Sequence, residues 1–169
     1  PTLKHFCANN TENERGTASS DIEPRTLNEY YYAAFERPIT CGGAYSVMAA
    51  YNELSGVPAV INPDIQKVLK DKWGLGFVVT DGGDFSQNVT FHGYSTSHAE
   101  TIALAIKNGT DVMTDCEDVV EASVLEALNS GLVSEKDIDK ALYNSLLARF
   151  RLGEFDEKHP FSDIDERVL

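Results

Sequence analysis

Asp81 is the residue with the clearest capacity for chemistry. It closes an apolar run, Phe77-Val78-Val79-Thr80-Asp81, and Gly82-Gly83 follow it. A carboxylate at the end of a rigid strand sits at the mouth of a sheet, and glycines let a ligand approach the backbone closely. An Asp in this place can equally cap the loop that it opens. Lys4-His5 ends another short apolar run and offers two adjacent donors for hydroxyls or a carboxylate. Neighbouring side chains leave opposite faces of a regular strand, so both reach one site only if the strand stops there. The alternative is a surface lysine and a packed histidine. Tyr51-Asn52 ends a third run; such a tyrosine can stack on a sugar ring or hydrogen-bond through its hydroxyl, or form the edge of the core. If the ends of successive parallel strands converge on one face, Lys4, His5, Tyr51 and Asp81 come together. A carboxylate beside a lysine stays ionised at neutral pH, which suits a nucleophile rather than a general acid.

Other polar residues read more simply. Asp111 and Asp115 flank a fourth apolar run and are read as caps, Asp115 because a helix follows it. Glu12, Glu14 and Arg15 are read as a loop ion pair. His92 and His98 have no third ligand at a zinc spacing, and Cys7, Cys41 and Cys116 are too scattered for a metal site or a disulfide framework. No GxGxxG, P-loop or GxSxG pattern occurs. Asn-x-Thr triplets start at Asn9, Asn88 and Asn108, which carry meaning only in a secreted eukaryotic protein.

The elements that must position these residues alternate. Leu3–Phe6, Ala44–Tyr51, Gly76–Thr80 and Thr110–Thr114 are dense apolar runs that suit strands buried on both faces. Between them lie helical patterns. One starts at Pro24, with a stripe of Leu27, Tyr30, Tyr31, Ala34 and Phe35. The next opens on Asn62-Pro63 and stops at Gly74. A third is bracketed by a Ser97/Glu100 capping box and Asn108-Gly109. Two more follow, from about Glu117 to Ser130 and from Ser134 to Gly153, the last with a stripe of Ile138, Leu142, Leu146 and Phe150. The order β-α-β-α-β-α-β-α-α predicts an α/β chain with about four parallel strands and right-handed crossovers. The polar, Gly-rich segments sit just after the strands, where a (β/α) barrel carries its functional loops. The first strand lies against Pro1. Both features favour a partial, half TIM-type barrel over residues 1–153, with residues 154–169 an acidic linker toward a further domain.

The chain has 169 residues, 42% hydrophobic and 24% charged. That is enough for one domain with a sizeable core, but short of the roughly 250 residues of a full eight-unit barrel. Its formal net charge of −13 repels phosphate backbones and anionic lipid, so neither nucleic acid nor a membrane surface is an expected partner. No apolar run approaches the roughly 20 residues of a membrane span. No compartment is read from the sequence.

These segments together resemble the family-3 glycoside hydrolases, the group of exo-acting β-glucosidases and β-xylosidases. KHFCANNTENERGTASSDIEPRTLNEYY is similar to the family's KHF-x-x-NN-x-E-x-x-R segment and the helix after it. SVMAAYNELSGVPA is similar to VM-x-x-YN-x-x-x-G-x-PA, and DKWGLGFVVTDGGD to WGF-x-G-x-VV-[ST]-D, one residue shorter between Trp73 and Phe77. NGTDVMT and LLARFRLGEFD resemble the family's AGTDLEMP segment and the helix that ends its barrel.

The resemblance implies that Asp81 is the nucleophile of a retaining β-glycosidase, and that Lys4 and His5 hold sugar hydroxyls. It also implies that Tyr51 is the tyrosine beside the nucleophile and that no metal or organic cofactor is needed. A second, protonated carboxyl would assist the leaving group. The family supplies it from a downstream domain, so no residue here is assigned to it. An upstream Asp and Arg that bind the sugar have no counterpart either. Gly82 stands where the family often has Trp or Cys, leaving glucoside against xyloside open. Lys4-His5-Phe6 continues as CANN rather than PGHG, which disfavours the N-acetylglucosaminidase subgroup. The expectation is part of an exo-acting glycosidase for terminal β-D-glucosyl or β-D-xylosyl residues, inactive in isolation and completed by the missing barrel half and downstream domain. The alternative is a non-catalytic carbohydrate-binding or scaffold half-barrel.

Overall fold

The computed structural model describes residues 1–158. Its architecture is mixed α/β, with six α-helices flanking a small parallel sheet among these residues. Strands β1 (Thr2–Phe6), β3 (Ser46–Ala49) and β6 (Phe77–Val79) pair in parallel in that order. The register sets Leu3 opposite Val47, and Val47 opposite Val78. Val47 and Val78 are fully buried, as an apolar strand covered by crossover helices must be.

The fourth expected strand is reduced to one bridge, Val79 with Val112. Side chains take ladder positions on either side of it. Asp111 Oδ2 accepts the Val78 N–H at 2.8 Å, and Thr80 Oγ1 accepts the Thr114 N–H at 2.9 Å. Thr110–Thr114 therefore stays beside β6 without becoming a regular strand.

Helix α1 (Pro24–Thr26) starts with Pro24 in its first turn and Glu23 as its cap. A wide-turn segment, Leu27–Tyr32, leads on into α2 (Ala33–Thr40). A wide turn slips the 3.6-residue period, and the buried face changes with it. Tyr32 and Ile39 are buried, whereas Tyr30 of the expected stripe is 71% exposed. Tyr32 stacks on Phe6 at 5.3 Å and meets Trp73 edge-on at 5.9 Å. With Val47, Ile65, Leu69 and Val78 these rings form the core on one side of the sheet.

The helix expected from Asn62 to Gly74 forms as a second wide-turn segment, Ile65–Lys72. Gly74 follows it at a φ of 76°, a conformation natural to glycine. Two elements were not expected. The NELSG segment folds into a tight hairpin, β4 (Glu53–Leu54) with β5 (Val57–Pro58), and β4 pairs with β2 (Ser19–Ser20). The polar stretch after Asp81 becomes helix α3 (Asp84–Thr90).

Helices α4 (His98–Lys107) and α5 (Glu117–Asn129) pack with Phe85 of α3 into a second core. Ser97 accepts the Glu100 N–H, but Glu100 turns its carboxylate to Thr96, so only half of the expected capping box forms. Helix α6 (Glu135–Arg151) has a complete one between Ser134 and Asp137. Its expected apolar stripe is not the buried one: Ala141 and Ala148 are buried, while Leu142 and Phe150 are 51% and 62% exposed. In the expected linker, Glu154 pairs with Arg149 at 2.6 Å and Phe155 packs on Phe150 at 4.4 Å. Residues 159–169 of that linker lie outside the described residues. No described helix is long and apolar enough to cross a membrane.

Candidate functional site

The site forms where β1, β3 and β6 end. Asp81 lies two residues beyond β6, on the turn into α3. Its Oδ1 accepts the Gly82 N–H at 2.7 Å, and its Oδ2 lies 3.0 Å from His5 Nε2. The carboxylate is 23% exposed, open enough to meet a ligand and held at both oxygens. Gly83 follows at a φ of 75°, which a β-carbon would strain, and its N–H donates to Thr114 O at 3.0 Å. The reversal from strand to helix is thereby fixed immediately after the carboxylate.

Tyr51 arrives from β3. Its hydroxyl donates to Gly82 O at 2.7 Å, and the Arg15 guanidinium lies 4.2 Å from its ring centroid. Burial, and then the charge of Asp81, push the Tyr51 phenol above its ordinary range, so the hydroxyl stays a donor at neutral pH. Arg15 is itself held by Glu12 at 2.6 Å, the loop ion pair read from the sequence. That reading did not connect Arg15 to Tyr51, because nothing local links positions so far apart.

The structure thus brings His5, Tyr51 and Asp81 together, with Lys4 next to His5 rather than against the carboxylate. Lys4 is exposed and is not within ion-pairing distance of Asp81. With His5 it lines a hollow of about 560 Å³ bordered by Asn9, Asn10, Tyr30 and Tyr31. The neighbour that holds the carboxylate is the imidazole of His5, not the ammonium of Lys4.

Asp111 and Asp115 are not caps of the helix that follows them. The Asp111 side chain is buried and binds Lys70 Nζ through both oxygens, at 2.7 and 2.5 Å. Asp115 Oδ2 accepts the Ser86 N–H at 3.0 Å, so it caps α3, a helix earlier in the chain.

Asp84, close to Asp81 in sequence, has no role that its sequence position alone could assign, because its burial is set by tertiary packing. It is 1% exposed, its Oδ2 has no hydrogen-bond partner among the described residues, and it opens α3 three residues after Asp81. Burial first, then the charges of Asp81 and Asp115, raise its carboxyl well above the usual carboxylate range. The site therefore sets the open Asp81 carboxylate near a buried carboxyl that favours its neutral form. Asn88, which begins one of the Asn-x-Thr triplets, is fully buried and not presented for modification. No cluster of His, Cys, Asp and Glu suited to a metal ion occurs among the described residues.

A parallel-stranded α/β fold that sets a carboxylate at its strand ends, flanked by a histidine and a tyrosine, offers a polar ligand a place to bind. Relatives and structural neighbours of this chain are β-xylosidases and β-glucosidases, among them a family-3 exo-β-xylosidase of known structure. A probable exo-1,4-β-xylosidase of Aspergillus clavatus is 32% identical over 96% of this chain, and a β-glucosidase of Rhizobium radiobacter is 35% identical over 99%. Among solved structures, a family-3 exo-β-xylosidase in complex with a xylobiose aziridine activity-based probe superposes over 96% of the chain with a TM-score of 0.87 and 28% identity. A β-glucosidase from Erythrobacter marinus gives 0.85 and 30%. The chain spans about a fifth of these proteins, 19–22% of the two relatives and 22% of each solved chain. No family model matches it.

Proposed function

We propose that this chain is the second half of a family-3-type (β/α) barrel, residues 1–153. In this reading it carries the nucleophile of an exo-acting retaining β-glycosidase for terminal non-reducing β-D-xylosyl or β-D-glucosyl residues. The observation that carries this reading is Asp81: a partly exposed carboxylate at a strand end, held by His5 at 3.0 Å and by the Gly82 N–H at 2.7 Å, next to the Tyr51 hydroxyl. The relatives, named for xylosidase and glucosidase activity, supply the substrate class.

The chemistry follows from that arrangement. An Asp81 oxygen attacks the anomeric carbon as the bond from that carbon to the leaving oxygen breaks. The leaving oxygen takes a proton from a second carboxyl, which is not assigned to any residue here. Water then attacks the same carbon, gives its proton to that second carboxyl, and releases Asp81. His5 and the Gly82 N–H hold the two carboxylate oxygens and so fix the direction of attack. Lys4 stands at the side of the site to meet sugar hydroxyls. With only one of the two carboxyls assigned, the 169-residue chain alone is expected to turn over little or no substrate. Residues 154–169 serve as the link to a further domain.

The test is to treat the protein carrying this sequence with 2-fluoro β-xyloside and β-glucoside reagents and map the adduct by peptide mass spectrometry. A single adduct on Asp81, lost in Asp81→Ala, is the expected result. An adduct on another residue refutes the assignment. Saturable sugar binding with neither adduct nor turnover would point to a carbohydrate-binding scaffold.

A further inference from the structure

His92 lies outside every motif discussed above, yet its side chain is fully buried and lies against the site. Its Nε2 is 2.8 Å from Tyr51 O. A carbonyl only accepts, so this nitrogen carries the proton in that contact. The other ring nitrogen, Nδ1, lies 3.2 Å from Glu53 Oε1, within ion-pairing reach but off the line of a hydrogen bond. The His92 backbone N–H donates to Gln87 O at 2.9 Å, which ties the histidine to the last turn of α3.

These contacts form a closed circuit. Asp81, Gly82 and Gly83 lead into α3, and the end of α3 carries His92. His92 holds the backbone of Tyr51, and the Tyr51 hydroxyl returns to Gly82 O at 2.7 Å. Tyr51 is therefore fixed at three points: hydroxyl on Gly82, ring face under Arg15, and carbonyl on His92. The first two are contacts within the site. The third comes from the loop behind it and sets where the tyrosine starts.

We propose that His92 is a positioning residue: through the Tyr51 carbonyl it places the phenol that braces the Asp81–Gly82 turn. This inference rests on the reading of Asp81 as the nucleophile, since a brace matters to rate only if the turn carries the reacting carboxylate. Glu53 confines the ring on its other side. The same donor can be supplied by glutamine, whose amide nitrogen takes the place of Nε2, but not by leucine of similar bulk.

The experiment compares His92→Gln and His92→Leu in the protein carrying this chain, with two readouts. The first is kcat and KM on an aryl β-xyloside or β-glucoside at a temperature well below unfolding. The second is the ¹⁹F signal of Tyr51 after 3-fluorotyrosine labelling, assigned by its loss in Tyr51→Phe. The expectation is that His92→Leu loses about 10–100-fold in kcat with little change in KM and moves the Tyr51 signal, while His92→Gln restores both. If His92→Leu does not fold, His92→Asn, whose amide stops one bond short, replaces it with the same expectation. A fall in thermal midpoint alone, with kcat and the fluorine signal unchanged, overturns the proposal. If the wild type neither hydrolyses these substrates nor labels at Asp81, the glycosidase reading fails, and the fluorine signal still decides whether His92 positions Tyr51.

Discussion

Asp115 closes the N-terminus of the helix that begins at Asp84: its Oδ2 accepts the Ser86 N–H at 3.0 Å, while its Oδ1 accepts the N–H of Cys116 at 2.7 Å. A helix of seven residues has few internal hydrogen bonds to lose, and its first N–H groups have no partner within it. One side chain from the next strand position therefore anchors the turn on which Asp81 sits. Asp115→Ala should lower the unfolding free energy by about 1 kcal/mol, as loss of a capping acceptor does. Urea titration checks this. Asp115→Asn, which keeps an oxygen acceptor, should recover much of the loss.

The Lys70–Asp111 pair should be far more sensitive. Their side chains are 8% and 2% exposed, and Asp111 also accepts from the Val78 N–H and from Asn144 Nδ2. Removing one partner leaves a buried charge unpaired, which costs about 3–5 kcal/mol. Lys70→Met and Asp111→Ala should each approach unfolding at physiological temperature. Joint replacement of both by apolar residues should cost less than the sum of the two, measured as a double-mutant cycle by chemical denaturation.

Asp84 gives a pH dependence of defined sign. Its carboxyl is raised in the folded protein, chiefly by burial, so the folded state holds this proton where the unfolded chain has released it. Stability therefore falls as pH rises from the ordinary aspartate range toward the raised folded value, and the penalty is constant beyond it. Asp84→Asn removes that term. The variant should match the wild type near pH 3 and exceed it at pH 7, with a flatter stability profile between. Thermal unfolding across that pH range reads the difference. A wild type that gains on the variant as pH rises would show that the carboxylate form is the favoured one.

Tyr51→Phe keeps the ring beneath Arg15 and deletes the donor to Gly82 O. The acceptor it leaves lies on an exposed residue, so the stability loss should stay near 1 kcal/mol. The loss in turnover should be larger, about 10-fold or more in kcat with KM little altered, because the phenol braces the turn that carries Asp81. Steady-state kinetics on an aryl glycoside check it. A KM effect without a kcat effect would make Tyr51 a simple binding contact.

Much of this molecule was legible in one dimension. Local rules set the helix starts at Pro24, Ser97 and Ser134, the stop at Gly74, the buried runs around Val47 and Val78, and the Glu12–Arg15 pair. Each depends on residues a few positions apart. Parallel strand order follows from the βα alternation, and that alone carried Asp81, His5 and Tyr51 to one end of a sheet. What the sequence could not decide was every contact whose partner lies a turn of the fold away. That His5 rather than Lys4 faces Asp81 depends on how β1 ends against β3. That Asp115 caps an earlier helix, and that Asp111 holds Lys70, depends on where Thr110–Thr114 comes to lie beside β6. The burial of Asp84 and the grip of His92 on Tyr51 join positions that no short-range pattern connects. Chain-local propensities fix which segments are helix or strand. Only packing fixes which polar side chains lose water together, and desolvation decides their partners and charge.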